Sequence, residues 1–336
     1  STAMGWRALH AQTTGALNSG FGRMAGGSIT TGQHNNFFGE GAGQHTTTGH
    51  KNIAFGNCAL QVATAASCNI AIGTASMRAN TSGALNTAVG VCTLMANTTG
   101  HCNTAVGYKS LLSNTCGAAN TAIGIETLQD NTTGGSSVAM GYRAGYDNTT
   151  GTVVAIGANA LCSNTVGYRN IAIGMAAMRK NSSGGYNTAV GTKSLYFNTT
   201  GCHNTASGIY SLRDNTTANF NTAFGTCAMH SNTTGHSNTS VGRSSLVANT
   251  TGCQNVAVGY NALVSNTTAN YNTGMGNLTL AANTTGTGNT ALGRAAMNEN
   301  TTGACNVGVG YGALESNTTG GANVAVGRDA LTSNTS

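Results

Sequence analysis

Short stretches of alternating small and larger uncharged residues recur along the whole chain at a constant spacing. A glycine ends each stretch every seventeen residues, from Gly5 to Gly141 and again from Gly157 to Gly327, with one step of sixteen between the two runs. We number each of the twenty copies from its Asn, so that the repeat reads N-T-A-V-G-x-x-S/A-L-x-x-N-T-T-G-x-x. β-branched residues before a glycine-rich turn predict a short strand at positions 1 to 4.

The repeat length decides between helical and β architectures. Seventeen residues are too few for a pair of helices, and glycine at two constant places disfavours helix. We therefore expect an all-β fold, a parallel β-solenoid or β-roll of about twenty 17-residue coils that stack about 4.8 Å apart. No composition shift interrupts residues 1–336, so we expect a single tandem-repeat domain, with one 16-residue repeat at 137–152. The absence of proline agrees with a continuous backbone ladder, which uses nearly every N–H group.

Alternation along the predicted strand separates a bulky face from a small face. Positions 2 and 4 are β-branched or apolar, so we expect them in the core. Positions 1 and 3 are small and uncharged in copy after copy, which suggests close packing against either the opposite wall of the same coil or a second chain. A thin coil has little room for large residues on both faces, so we favour self-association through the small face, as at Asn86, Ala88, Asn103, Ala105, Asn120 and Ala122.

Position 12 is a second asparagine column, occupied by Asn in sixteen consecutive copies, of which fourteen form N-x-S/T sequons. Such sequons accept N-linked glycans in secretory pathways. The alternative is that N-T-T-G is turn chemistry, repeated because the turn repeats. The possible glycosylation sites are Asn80, Asn97, Asn131, Asn148, Asn181, Asn198, Asn215, Asn232, Asn249, Asn266, Asn283, Asn300, Asn317 and Asn334.

Composition narrows the chemistry. Charged residues make up 7% of the chain and the net charge is +6, without the dense basic stripe that nucleic-acid binding needs. We expect no catalytic residue, cofactor, metal site or membrane span. Asp130 and Asp147 would lie on adjacent coils at a separation usable by a glycosidase, but on solvated turns. The ten cysteines include no C-x-x-C motif, and we expect most to pack as small apolar residues.

Two segments carry a resemblance to a known family. Asn69-Ile-Ala-Ile-Gly73 and Asn170-Ile-Ala-Ile-Gly174, each followed two residues later by a small residue, resemble the head repeats of trimeric autotransporter adhesins and the repeats of virus and phage fibre proteins. The resemblance implies a left-handed parallel β-roll that forms a trimer and serves adhesion without catalysis. The repeat in this chain is longer than the adhesin repeat and adds the N-T-T-G segment.

These observations predict a structural extracellular fibre, filament or adhesin rod at a cell or virion surface. Its expected partners are copies of itself, as a homotrimer or head-to-tail filament, and cell-surface or glycan ligands. The chain begins at position 1 and stops at position 14, so we expect a processed product or part of something longer. The alternatives are an ice- or surface-binding solenoid with threonine columns at positions 2, 13 and 14, or a fibre that binds or cleaves polysaccharide.

Overall fold

The computed structural model describes all of residues 1–336 and has the predicted all-β architecture. It contains two compact units of like construction, Ser1–Tyr168 and Arg169–Ser336. In each unit every repeat forms one coil with one short strand, and successive strands pair in parallel as in a β-solenoid.

The first unit contains ten strands: β1 Thr2–Met4, β2 Ser19–Phe21, β3 Asn36–Phe38, β4 Ile53–Phe55, β5 Ile70–Ile72, β6 Thr87–Val89, β7 Thr104–Val106, β8 Thr121–Ile123, β9 Val138–Met140 and β10 Val153–Ile156. The second contains ten more: β11 Asn170–Ile173, β12 Thr188–Val190, β13 Thr205–Ser207, β14 Thr222–Phe224, β15 Thr239–Val241, β16 Val256–Val258, β17 Thr273–Met275, β18 Thr290–Leu292, β19 Val307–Val309 and β20 Val324–Val326.

Strand register follows the sequence repeat. Thr87 pairs with Thr104 and Val89 with Val106, which are offsets of seventeen residues. Between β9 and β10 the offset is sixteen, since Val154 pairs with Val138. The coil that begins at Ser137 therefore lacks the residue at position 17, and the following strand stays in register.

Backbone hydrogen bonds between neighbouring coils continue well beyond the strands. The N–H groups at positions 7, 9 and 17 donate to an adjacent coil, for example from Cys92 to the Thr74 carbonyl at 3.0 Å and from Leu94 to that of Ser110 at 3.0 Å. Residues at these positions adopt a left-handed backbone, with φ of 56° at Cys92 and 48° at Leu94. That conformation costs a non-glycine residue about 1 kcal/mol, which the coil-to-coil hydrogen bonds offset.

The core of each coil is narrow and mixes apolar with polar residues. Positions 1, 3, 8, 9, 12 and 15 point inward, as Asn86, Ala88, Thr93, Leu94 and Asn97 show by exposures of 1% or less. The large apolar residue at position 9 fills most of the interior. The prediction that positions 2 and 4 form the core is wrong, because Thr87 and Val89 on β6 stay partly exposed on either side of buried Ala88.

Glycine at position 5 closes the turn after each strand. Gly225 has φ of +133°, and a Cβ there would lie 2.6 Å from the Gly242 carbonyl oxygen in the next coil. Position 15 is less restrictive, because Ala218 and Ala269 replace glycine there and remain buried. The hydrogen bond from the position 12 Asn to their carbonyls is 3.2 Å, against 2.9 Å at Gly235.

The first coils fill the same interior in a different way. Phe37 occupies position 3, where other coils have a small residue, and it is fully buried. Position 9 is glycine in that coil and in the one before it, and a Cβ at Gly43 or Gly26 would lie 2.5 or 2.9 Å from the Phe37 ring. The Phe37 ring thus occupies space that the position 9 side chains fill in other coils.

Candidate functional surfaces

The two asparagine columns form side-chain hydrogen-bond ladders inside the coils. At position 1, the Asn103 side-chain Nδ2 donates to Asn86 Oδ1 at 3.1 Å, and the backbone N–H of Asn103 donates to the same oxygen at 3.0 Å. At position 12, Asn97 Nδ2 donates to Asn80 Oδ1 at 2.8 Å. The ladders meet at the position 15 carbonyl, since the Gly100 oxygen accepts from Asn86 at 2.9 Å and from Asn97 at 3.0 Å. Every buried amide in these two columns therefore has partners, as burial requires.

This geometry bears on the possible glycosylation sites. An N-linked glycan occupies the side-chain amide nitrogen, which here donates inside the coil. The side chains are fully buried at Asn80, Asn97, Asn131, Asn148, Asn181, Asn198, Asn215, Asn232, Asn249, Asn266, Asn283, Asn300 and Asn317. The half-buried Asn334 also donates, to Asn317 Oδ1 at 2.8 Å. The structure therefore supports the turn-chemistry interpretation of N-T-T-G, because a glycan would displace each amide from its ladder.

The small face lies inside the coil, and the prediction that it meets a second chain is wrong. Its residues face the interior of their own coil with exposures of 0 to 1%: Asn86, Ala88, Asn103, Ala105, Asn120 and Ala122. The physical reason is size. An interior already filled by the position 9 side chain has room opposite it for a small residue at position 3. At position 1 most coils hold an amide that spans to position 15, and one coil holds the buried Val153.

The bulky residues consequently form an outward surface, which we call the strand face and define as positions 2 and 4 of all coils. Ile70, Ile72, Ile173 and Val190 are 36 to 39% exposed. None of the forty residues of the strand face is charged, and positions 6, 7, 10, 11 and 17 hold all 22 Lys, Arg, Asp and Glu residues. In the first unit Phe21, Phe38 and Phe55 stack along this face with ring centroids 4.9 and 5.9 Å apart.

Charged side chains at positions 6 and 7 pair between coils or cover aromatic rings. Glu126 and Arg143, at position 7 of adjacent coils, form an ion pair at 2.6 Å. Lys109 instead lies 5.1 Å from the centroid of the Tyr108 ring. Arg243 over Tyr260 repeats this arrangement in the second unit at 5.9 Å. Each such pair covers an exposed ring and contributes about 0.5–1 kcal/mol at an accessible site.

The two aspartates considered for catalysis are less solvated than the sequence suggested. Asp130 and Asp147 are both partly buried at position 11 of adjacent coils. Burial raises the pKa of Asp147 above its usual value, and the charge of Asp130 adds to the effect while Arg143 opposes it. Paired carboxylates with one raised pKa occur in glycosidases; here Asp147 lies close enough to both Asp130 and Arg143 for their charges to act on its pKa in opposite directions.

None of the ten cysteines forms a disulfide bond. Cys58 and Cys92 at position 7 are partly buried, whereas Cys68 and Cys102 at position 17 are exposed. Of the ten cysteines, six are partly buried, in agreement with the expectation for most of them, and four are exposed. His, Cys, Asp and Glu side chains do not converge in groups of three or more that could hold a metal ion.

Comparison with known proteins leaves the chain without an assigned family. A scan against protein-family models finds no match, and a search of curated proteins finds none either. The structure contains no helix that could cross a membrane.

Proposed function

We propose that the chain is a structural extracellular fibre or adhesin rod whose copies associate side by side through the strand face. The observation that carries the proposal is an uncharged, largely apolar sheet face that each unit leaves exposed. Contiguous apolar surface on a soluble protein marks an interaction site. Ile53, Ile70 and Ile72 alone place three half-exposed aliphatic side chains on two adjacent coils.

The repeat indicates which partner fits this face. Side chains along it recur once per coil, about every 4.8 Å. A partner that packs along many coils must present side chains at the same interval. Otherwise its side chains would no longer fit between those of the strand face after a few coils. A second copy of the chain meets this condition by identity, and a closed cyclic arrangement lets each copy bury the same face.

The chains thus associate through the strand face and not through the small face, and the expected assembly of identical copies is unchanged. The resemblance to adhesin and fibre repeats implies a homotrimer, and we place its three strand faces around the common axis. We assign it to the outside of a cell or virion. It includes no catalytic step and does not require glycans.

The test is the mass of the chain in solution by light scattering after size-exclusion chromatography. We expect the wild type to elute as a multiple of its 33.5 kDa chain mass. Ile72→Lys with Ile173→Lys, one change in each unit, should leave a folded single chain because the added ammonium groups cannot be buried in the interface. The matched control adds the same charge at the exposed N-T-T-G turn, as Thr99→Lys with Thr200→Lys, and should assemble normally.

Either of two results would refute the proposal. One is a wild type that stays a single chain at micromolar concentration. The other is an assembly that the Ile72 and Ile173 changes leave intact. Circular dichroism on each variant separates loss of assembly from loss of fold.

A second candidate function, binding to an ice or mineral surface, rests on the outward threonines. Thr188, Thr205, Thr222 and Thr239 stand at position 2 of four successive strands, β12 to β15, and are all partly exposed. They form an evenly spaced hydroxyl column. A thermal-hysteresis measurement tests this function, and freezing behaviour no different from that of a non-binding protein of equal mass would exclude it.

A further inference from the structure

The second unit departs from the repeat at one place on its surface. In three successive coils, seven of the nine residues at positions 7, 10 and 11 are bulky or basic, the exceptions being Ala176 and Asp214. A later coil has Ser244, Val247 and Ala248 at the same positions. Six of the seven bulky or basic residues, which we call the basic groove, are Arg179, Lys193, Tyr196, Phe197, Tyr210 and Arg213. Five of them, all except Arg179, line a surface depression of about 280 Å³. In a repeat protein such a local departure is where specific binding is expected, because the unchanged repeat offers the same surface everywhere.

The aromatic rings hold the cations in place. Arg179 Nη1 donates to the Tyr196 hydroxyl at 3.0 Å. Lys193 Nζ lies 6.0 Å from the Tyr196 ring centroid and 5.8 Å from that of Tyr210. Phe197 packs edge-on against Tyr196 with centroids 4.6 Å apart and remains 42% exposed. The groove thus combines oriented donors with an accessible ring.

Its positive charge is largely uncompensated. Between Asp147 and Asp214 the sequence contains no acidic residue. Asp214 is engaged by Arg213 at 2.7 Å and lies 3.8 Å from His230. No carboxylate lies within ion-pairing distance of Arg179 or Lys193. Two of the three groove cations therefore lack an anionic partner in a chain that is otherwise poor in charge.

The arrangement of the cations indicates the chemistry of the ligand. Arg179, Lys193 and Arg213 come from three consecutive coils, at an axial interval of about 4.8 Å, and Lys180 adds a second cation to the first of these coils. A polymer with an anionic group on every sugar places charges at a comparable interval, and its ring C–H groups can pack on the exposed Phe197. Single-stranded nucleic acid would need several open rings for base stacking, whereas Tyr196 and Tyr210 are partly buried and Phe197 is the exposed ring of the groove.

We propose that the basic groove binds a segment of an anionic polysaccharide. Arg179 and Lys193 contact the acidic groups, and Phe197 packs against a sugar ring. The inference is independent of self-association, because the groove residues lie at positions 7, 10 and 11 and not on the strand face.

The test is calorimetric titration of the full chain with a galacturonate hexamer, which has one carboxylate per sugar, at near-physiological ionic strength. The fully methyl-esterified hexamer is the uncharged ligand control and should not bind. Arg179→Gln with Lys193→Gln should weaken binding about tenfold or more, because two charge-assisted contacts are lost.

The matched protein control is Arg243→Gln with Arg294→Gln, which removes the same charge in the same unit from two arginines that also cover tyrosine rings. We expect it to change affinity less than about twofold, since exposed charges far from the ligand are screened. If the groove double variant fails to fold, as judged by its melting curve, Phe197→Ser takes its place and should also weaken binding.

Three results would overturn the proposal. They are no detectable binding of the hexamer, equal weakening by the two double variants, and tighter binding of a thymidine oligonucleotide of equal charge. Equal weakening would show that binding depends on the net charge of the chain and not on the groove. Tighter binding of the oligonucleotide would assign the groove to nucleic acid.

Discussion

Replacing Asn103 with alanine tests whether the interior ladders hold the coils together. The Asn103 side chain makes three hydrogen bonds: Nδ2 donates to Asn86 Oδ1 at 3.1 Å and to the Gly117 carbonyl at 2.9 Å, and Oδ1 accepts the Asn120 backbone N–H at 3.0 Å. Alanine removes all three and leaves a small cavity.

The expected loss follows from counting which groups lose their partners. Asn86 Oδ1 still accepts the Asn103 backbone N–H at 3.0 Å, and the Gly117 carbonyl still accepts from Asn114 at 3.0 Å. Only the Asn120 N–H is left buried without a partner. Three net hydrogen bonds contribute about 3 kcal/mol, and the orphaned donor adds about 1–3 kcal/mol. We therefore expect local stability to fall by about 4 to 6 kcal/mol.

Hydrogen exchange measured by mass spectrometry is the suitable assay, because a long solenoid need not unfold in one step. Amides in the coils that contain Asn86, Asn103 and Asn120 should exchange at least about a hundredfold faster, since 1.4 kcal/mol corresponds to a factor of ten. Thr99→Ala, on the exposed turn of a neighbouring coil, is the control and should change exchange little. The reasoning is refuted if the two variants exchange within tenfold of each other, or if acceleration is uniform along the chain.

Three further changes probe other parts of the coil, each by thermal denaturation. Gly225→Ala should abolish cooperative folding because its φ of +133° is strained for any residue with a Cβ, and that Cβ would lie 2.6 Å from the next coil's carbonyl oxygen. At Gly235 a Cβ would also crowd the Gly252 carbonyl oxygen, but φ is not positive there and Ala218 and Ala269 occupy the same position in other coils, so Gly235→Ala should cost only about 1 kcal/mol; equal effects would contradict the distinction between positions 5 and 15. Phe37→Ala should destabilise the folded chain by about 3–5 kcal/mol, because it leaves a cavity in the core. A loss below about 1 kcal/mol would show that neighbouring side chains move in to fill that cavity. Asp147→Asn should stabilise at neutral pH by less than about 1 kcal/mol, and Glu299→Gln at the same position is its control.

The pH dependence of the Asp147 change follows from the direction of its shift. Burial raises the pKa of Asp147 from its usual 3.8 in the folded chain. The folded state therefore holds this proton more tightly than the unfolded state, and stability falls as pH rises from 3.8 through the raised pKa. The advantage of Asn over Asp should disappear well below pH 3.8, and an advantage that persists there would show that the charge is not its cause.

The solenoid could be predicted from the sequence, but the direction of its strand faces could not. Alternation shows that Thr87 and Val89 share one side and Ala88 the other, and it does not say which side is inside. We expected bulky residues in the core, as in a wide sheet, whereas a 17-residue coil has room for one large residue per turn, supplied by Leu94. Position 2 carried evidence that it points outward. Ser19 and Asn36 stand there in place of Thr, Ile or Val, and such a mixture of polar and apolar residues is typical of a position that faces solvent.

The conformation that makes this packing possible had no sequence signal. Leu94 enters the core from a left-handed backbone with φ of 48°, a region that leucine seldom adopts. The role of Asn97 was similarly hidden, because N-T-T-G is at once a turn motif and a glycosylation motif. Only the stacked coils show that its amide belongs to an interior ladder.

The most direct test of the central claim is a cryo-EM density map of the assembled protein viewed in cross-section. The claim predicts two or more coils per layer that meet through the strand face, with Val89 and Val106 between chains and the position 1 and position 12 asparagines inside each coil. It would be contradicted by a single coil per layer, or by chains that meet through the N-T-T-G turns while the strand face remains open to solvent.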